Sequence, residues 1–427
     1  MTSPTRTVIH SATVITADAA DRVLADASIV IEGEVIVELH EGGRPDPLAG
    51  EVSIDAAGGI VMPGLIDAHS HLPMTLYRGL ADDRDLQSFL GRLLPLEAAT
   101  LDEEAVAIGA RLAMAEMLRA GATTALDMYW YPETTAAVAV EAGLRLATGP
   151  LFIGGTGPDH RSFTERTETF ATSGPHAWTM IHGTYTMTVD ELRTAGELAR
   201  QAGTRIHLHA SENEAEVDQV VGATGLRPIA LLDQVGLLGP DVVLAHAVVL
   251  TDDEVDLLGR TGTRIAHCPL SNLKLASGIC RVSDLLAAGA TVGLGTDGPS
   301  SSNDLDMFAA MRFAGLVAKV AQHDASALSA HEVLKMATIG GARALGMDQM
   351  TGSIEVGKAA DLLRLDPSSP SLAPSFDAVS SVVYAASRAD VVDVWVAGRR
   401  VVADRVALTV DVESAIADVR RLAATFR

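Results

Sequence analysis

The chain has 427 residues, 48% of them hydrophobic and 20% charged, which describes a well-cored globular protein and excludes a disordered one. Its 32 basic and 55 acidic residues leave a net charge of −23, which speaks against nucleic acid or an anionic membrane as a partner. Two cysteines, Cys268 and Cys280, are too few for a disulfide framework, and neither a secretory pattern in M-T-S-P-T-R nor a membrane-length apolar run is present, so the expected compartment is the cytoplasm.

Thr7–Thr16 and Ala27–Leu39 alternate apolar and polar residues, with Glu32-Gly33-Glu34 as a hairpin turn. The same texture returns at Ala360–Leu365 and Val391–Val402, with a second turn at Ala397-Gly398-Arg399. Each half is marginal alone. Residues 1–60 and 350–427 are therefore expected to form one composite β-sandwich domain, with 61–349 inserted between them.

The insert alternates strand and helix. Candidate strands are Val61–Ala68, Thr123–Met128, Leu144–Gly149, Thr179–Gly183, Arg205–Ala210, Val242–Ala247, Thr263–His267 and Thr291–Thr296. Helical patterns such as Glu103–Ala120, Val189–Ala202 and Asp252–Gly262 lie between them. Eight such units predict an α/β fold, a (β/α)₈ TIM barrel, whose chemistry belongs at the C-terminal ends of the strands. The polar residues do fall there. Strand one ends in Pro63–His71, P-G-L-I-D-A-H-S-H, with His69 and His71 on one face. Strand four ends at His182, strand five at His209 with Glu212 beyond, strand six at His246, strand seven at His267 and strand eight at Asp297.

His69, His71, His209 and Asp297 give three imidazoles and a carboxylate, a donor set that suits Zn²⁺, with Fe²⁺ as the alternative. Asp297 either ligates weakly or holds a water. Glu212, three residues past His209, is placed to move a proton, whereas Glu214 and Glu216 read as first-turn helix charges. His246 orients the attacking water or stabilises the addition intermediate. His207, one layer deeper than His209, reads as support for a ligand. The loop His267–Asn272 either touches substrate or shapes the rim, and Cys268 has no partner that would make it a nucleophile. Gly154–Gly157 does not open a helix as a dinucleotide site requires, and Met114, Met117 and Met128 read as core filler.

H-S-H on strand one, H-A-S-E on strand five, L-A-H on strand six, H-C-P-L-S-N-L-K-L on strand seven and G-T-D-G on strand eight resemble the amidohydrolase superfamily over nearly the whole chain. Tyr77–Asp83 (Y-R-G-L-A-D-D), Leu94–Glu97 and Leu126–Tyr129 make it most similar to the 5-methylthioadenosine/S-adenosylhomocysteine deaminases and related nucleoside deaminases. The resemblance implies one metal on His69, His71, His209 and Asp297, catalysis by Glu212, His246 and Asp297, and nucleoside contacts from Glu97, His182, Glu212 and an arginine matched by Arg161. With four lysines, none ending strand four, the chain lacks the bridging lysine of the two-metal branch. Three departures concern substrate recognition: Phe89 in the Leu86–Leu90 segment where a tryptophan is usual, Gly149-Pro150 where an arginine often follows strand three, and Ile181–Tyr185 in place of P-H-x-P-Y. The expected protein is a homo-oligomeric aminohydrolase of a small amino-purine nucleoside. The alternatives are hydrolysis of another N-heterocycle (a triazine, pterin, guanine or cyclic amide) or, in another class, a barrel kept as a non-catalytic scaffold.

Overall fold

A computed structural model describes residues 6–426; the N-terminal reading of residues 1–5 lies outside the described residues. The N-terminal strands are β1 (Arg6–Ile15), β2 (Val23–Glu32), β3 (Val35–His40), β4 (Val52–Asp55) and β5 (Ile60–Pro63). The barrel strands are β6 (Leu65–Ser70), β7 (Ala122–Asp127), β8 (Arg145–Ala147), β9 (Leu151–Phe152), β10 (Trp178–Gly183), β11 (Arg205–Ala210), β12 (Val242–His246), β13 (Arg264–His267) and β14 (Val292–Leu294). The C-terminal strands are β15 (Leu362–Leu365), β16 (Val391–Val396), β17 (Arg399–Ala403) and β18 (Val406–Ala407).

Both chain ends build one nine-stranded sheet, ordered β18-β17-β16-β15-β5-β1-β2-β3 with β4 on β1. The junction is the antiparallel pairing of β5 with β15, Met62 opposite Leu363. At the far edge, Ile36 N–H donates to Lys358 and Ala360 N–H donates to Glu34, so the sheet curls back on the segment that leads into β15. Ile9, Ile29, Ile36, Leu362 and Trp395 are buried together inside that curl. The two helices of the C-terminal part, Ala378–Tyr384 and Val412–Ala423, leave the sheet and pack on barrel helices, contrary to the expectation of a purely β unit.

The apolar run read as one strand from Val61 to Ala68 is two strands in two sheets. Gly64 is the crossover: its N–H donates to Asp361 of the terminal sheet, while Leu65 N–H donates to Gly121 at the start of β7. A Cβ on Gly64 would stand 2.2 Å from the Thr123 side chain, so only glycine lets β5 pass into β6 against β7.

Nine short strands make eight barrel positions because the third is broken. β8 pairs with β7 and β9 pairs with β10, and Gly149-Pro150 lies between them. The ring closes between β14 and β6 through a parallel bridge of Ser70 with Asp297. Thr296 N–H and Oγ donate to the two oxygens of Asp67, at 3.0 and 2.5 Å, and lock that seam. Helix α1 (Leu86–Thr100), capped by Asp85, lies over the open end of the barrel and buries Leu86, Phe89, Leu93 and Glu97. Helix α2 (Glu103–Arg119) packs beneath it, where Gly109 admits the Pro73 carbonyl. No helix among the described residues is long and apolar enough to cross a membrane.

Gly64→Ala is expected to lower stability by about 1–3 kcal/mol through overpacking on Thr123. A chemical denaturation curve with a lower midpoint and unchanged slope is the check.

Candidate metal centre and active site

The strand ends carry strained backbone at three places. Ser211 after β11, His246 at the end of β12 and Asp297 after β14 have φ of +52°, +72° and +62°. Left-handed backbone in side chains of this size costs energy and persists where the surroundings enforce it. Here it turns three functional segments inward over the barrel mouth.

Three imidazoles meet there, each anchored from behind. His207 Nδ1 lies 3.0 Å from the Val243 carbonyl, which can only accept, so Nδ1 carries the proton and Nε2 is bare. His69 Nδ1, 2.7 Å from His207 Nε2, must therefore donate. That leaves His69 Nε2 as a lone pair, fully buried and without a hydrogen-bond partner. His71 Nδ1–H donates to the Met128 carbonyl at 2.5 Å, and His209 Nδ1–H donates to the His182 carbonyl. Both Nε2 atoms then face each other at 3.3 Å. Asp297 Oδ1 is 3.3 Å from His69 Nε2 and 3.3 Å from His71 Nε2. Bonds of about 2.0–2.1 Å in a tetrahedron put neighbouring ligand atoms about 3.3–3.4 Å apart, so these separations fit a bound cation.

The electrostatics agree. Burial holds His69 down to about 3 and His209 well below its ordinary value, which keeps both rings neutral as ligands must be. Burial also lowers His71, but the Asp297 carboxylate outweighs it and raises that ring to about 9. The pull of Asp297 for positive charge at this point is what a cation satisfies. His69, His71 and Asp297 form one group that could hold a metal ion, and His69, His209 and His246 form another that shares His69.

Asp297 is itself held: Ser271 and Ser301 hydroxyls donate to Oδ2 at 2.5 and 2.7 Å, which leaves Oδ1 for the metal side. The strand-seven loop thus serves the site from behind. Ser271 orients Asp297, and Asn272 Oδ1 accepts from His246 Nδ1 at 2.9 Å. His246 Nε2 then faces Glu212 Oε2 at 3.7 Å. Burial raises the Glu212 carboxyl well above its usual range, and the charges of Asp297 and Glu216 push the same way. Glu216, read from sequence as a first-turn charge, does sit in the first turn of Glu214–Thr224. Its carboxylate also accepts from the Ser211 and Glu212 N–H groups and from Thr184 Oγ, which fixes the turn that carries Glu212.

One short segment couples the metal to the opposite wall. After β7, Asp127 accepts from Leu72 N–H, Met128 accepts from His71, and Tyr129 O–H donates to Glu97 at 2.5 Å. Burial raises Glu97 to about 7 against that bond. Glu97 and His182 line the pocket over the metal residues together with Tyr185 and apolar side chains of α1. Arg161 does not: it is exposed and lines a neighbouring cavity with Tyr131 and Arg166. Cys268 is fully buried and its thiol is held up by burial, as an unreactive thiol should be. Met114, Met117 and Met128 are buried, and Met128 also lines the pocket. Sequence reading did not single out Asp67, Ser271, Ser301 or Tyr185; an acid inside the apolar run Gly64–Ala68 was a visible signal only for Asp67.

The profile of the amidohydrolase family matches residues 60–401. The chain belongs to the amidohydrolase family. It is 39% identical to a 5-methylthioadenosine/S-adenosylhomocysteine deaminase of Syntrophobacter fumaroxidans, over 93% of this chain and 98% of that one. An adenosine deaminase from Xanthomonas campestris with bound zinc superposes with a TM-score of 0.94 at 36% identity, covering 100% of this chain and 99% of that one. The zinc complex of an atrazine chlorohydrolase from Arthrobacter aurescens superposes with a TM-score of 0.89 at 25% identity, covering 98% and 100%. This amidohydrolase therefore shares its whole length, terminal sheet included, with relatives whose structures hold zinc.

His207→Phe removes the acceptor for His69 while keeping bulk. It is expected to weaken metal binding about 10–100-fold, read by competition with a chromophoric chelator on a protein whose circular dichroism is unchanged.

Proposed function

We propose that this amidohydrolase deaminates an amino-purine nucleoside hydrolytically, such as adenosine, 5′-methylthioadenosine or S-adenosylhomocysteine, and that its metal is one zinc ion on His69, His71, His209 and Asp297. The observation that carries the reading is the buried Glu212 carboxyl, 3.7 Å from His246 Nε2 and lining one pocket with His71, His209 and Asp297. Glu97 and His182 stand on the same pocket wall for the rest of the nucleoside. Its whole-length likeness to nucleoside deaminases supports the same substrate class.

A zinc ion there supplies a water whose pKa falls from about 15.7 to around 7. The protein groups do the rest. Glu212 gives its proton to the ring nitrogen beside the amine-bearing carbon and takes one back from the attacking water. His246, kept as a bare Nε2 by Asn272, and Asp297 Oδ1 hold that water towards the carbon. The new carbon–oxygen bond forms, the returned proton passes to the amine, the carbon–nitrogen bond breaks to release ammonia, and the remaining hydroxyl proton passes to Glu212, which restores the acid and leaves the ring a lactam. Glu97, oriented by Tyr129, accepts from ribose hydroxyls, and His182 contacts the nucleoside. The substrate is a small molecule acted on in the cytoplasm by a homo-oligomer, and the net charge of −23 disfavours a nucleic-acid substrate.

A second reading, removal of chloride or alkylamine from a triazine, draws on the likeness to atrazine chlorohydrolase. Ammonia release from adenosine-type nucleosides set against chloride release from atrazine separates the two. Absence of ammonia across a purine and pterin panel would sink the deaminase reading. Less than substoichiometric zinc or iron after gentle purification would favour a scaffold without catalysis.

Glu212→Gln is expected to keep its metal and lose about 10²–10⁴-fold in turnover. Activity near that of the unmodified protein would show that another group moves the proton.

A further inference from the structure

The pocket changes character along its length. Histidines, Glu212 and Asp297 crowd the metal end, whereas α1 presents Leu90, Leu93 and Leu94 beside Glu97, with Phe89, Trp130 and Leu151 closing the wall. Among the described residues no lysine or arginine lines it. Its charged groups apart from the histidines are acids, so a second carboxylate entering beside Glu97 finds repulsion and no counter-ion.

Two arginines of the adjoining cavity are walled off. Arg161 and Arg166 line the adjoining cavity, which meets the pocket only at Tyr129, Trp130 and Leu151. Trp130 is a fixed partition. The Arg166 guanidinium lies over its ring at 5.4 Å, and a Cβ on Gly157 would come within 1.9 Å of the indole, so that loop is packed hard against it. Arg166 is spent on its own loop, donating to the Ile153 and Gly155 carbonyls and to Asp159. Its Nε–H has no partner, but the guanidinium lies over Trp130 in the adjoining cavity and does not line the pocket.

We infer that the apolar end bounded by Leu90, Leu93 and Trp130 receives the 5′ side of the nucleoside and selects a small uncharged 5′ substituent over a zwitterionic amino-acid tail. The inference rests on the proposed deaminase activity. With the reacting ring at Glu212 and the ribose hydroxyls at Glu97, the 5′ carbon falls against the preceding turns of α1, where Leu93 and Leu90 sit four and seven residues earlier. A methyl or methylthio group loses nothing on entering that surface. A carboxylate would shed water there without a partner.

The test is kcat/KM of the metal-loaded full chain with 5′-deoxyadenosine, 5′-methylthioadenosine and S-adenosylhomocysteine. The two uncharged substrates are expected to exceed the charged one by roughly 100-fold or more. Comparable values for all three overturn the inference and leave the deaminase reading standing; no ammonia from any of them overturns both. Arg161→Ala is expected to leave the ratio unchanged. A selective loss with S-adenosylhomocysteine would mean that the tail crosses Trp130 to reach Arg161, which also overturns the inference. Leu90→Arg, at a half-buried position, is expected to narrow the ratio about tenfold, and an unaltered ratio in a folded variant counts against it.

Discussion

The barrel closes on a carboxylate. Asp67, fully buried in β6, accepts two hydrogen bonds from Thr296, 229 positions away, and a third from His69 N–H. Burial raises its pKa to about 7, and these three bonds are what offset the cost of placing an acid there. One residue further on, His69 C=O accepts from Asp297 N–H at 2.9 Å. The seam that turns a row of strands into a ring is thus also the contact that sets His69 and His71 against Asp297. Loosening it would separate the ligands before it unfolded any helix.

Around that seam the site is built from neutral groups made directional by what lies behind them. Each imidazole gives its Nδ1 proton outward, to His207, to Met128 and to the His182 carbonyl. The lone pairs therefore converge where desolvation makes an uncompensated set of acceptors costly. Asp297 has one oxygen tied by two serines and one free. Glu212 is the opposite case: burial raises its carboxyl, and Glu216 fixes the backbone turn that carries it. Two carboxyl groups in one cavity are thus pushed in opposite directions, Asp297 down by its imidazole neighbours and Glu212 up by burial.

The terminal sheet and the chain end also reach the site. The β5–β15 pairing fixes Gly64, and through it the start of β6. At the other end of the chain, Phe426 stacks on Tyr77 at 5.3 Å, over the 3₁₀ turn Leu72–Tyr77 that follows His71. The Lys274 ammonium ties Asp82 on the approach to α1 to Ser300 and Asn303 beyond Asp297. The cover of the pocket is therefore stapled to the same loops that hold the metal ligands, so substrate recognition and metal geometry share supports.

Much of this was legible in the residues. Period-two alternation found the strands, turn residues found their ends, and the histidines and acids at those ends marked the chemistry, because strand direction is a local property of the backbone. Arg205–Ala210 and Val189–Ala202 were placed to the residue. Other features were not legible. Val61–Ala68 reads as one strand, and only the crossover at Gly64, held close to the Thr123 side chain, divides it between two sheets. Strand three is interrupted at Gly149-Pro150, where a Cβ on residue 149 would meet the Trp178 carbonyl at 2.1 Å. Arg161 stands in a suggestive stretch, yet Trp130 puts it in another cavity. Ser271 and Ser301 gain their roles only from Asp297, far along the chain from the first and across the turn from the second. The sequence by itself determined the barrel, the metal donors and the acid, since these depend on residue type and local periodicity. Which hydrogen bond orients each ligand, and which charges the pocket excludes, were decided by tertiary structure alone, because both are set by contacts between segments whose separation in sequence carries no record of their distance in space.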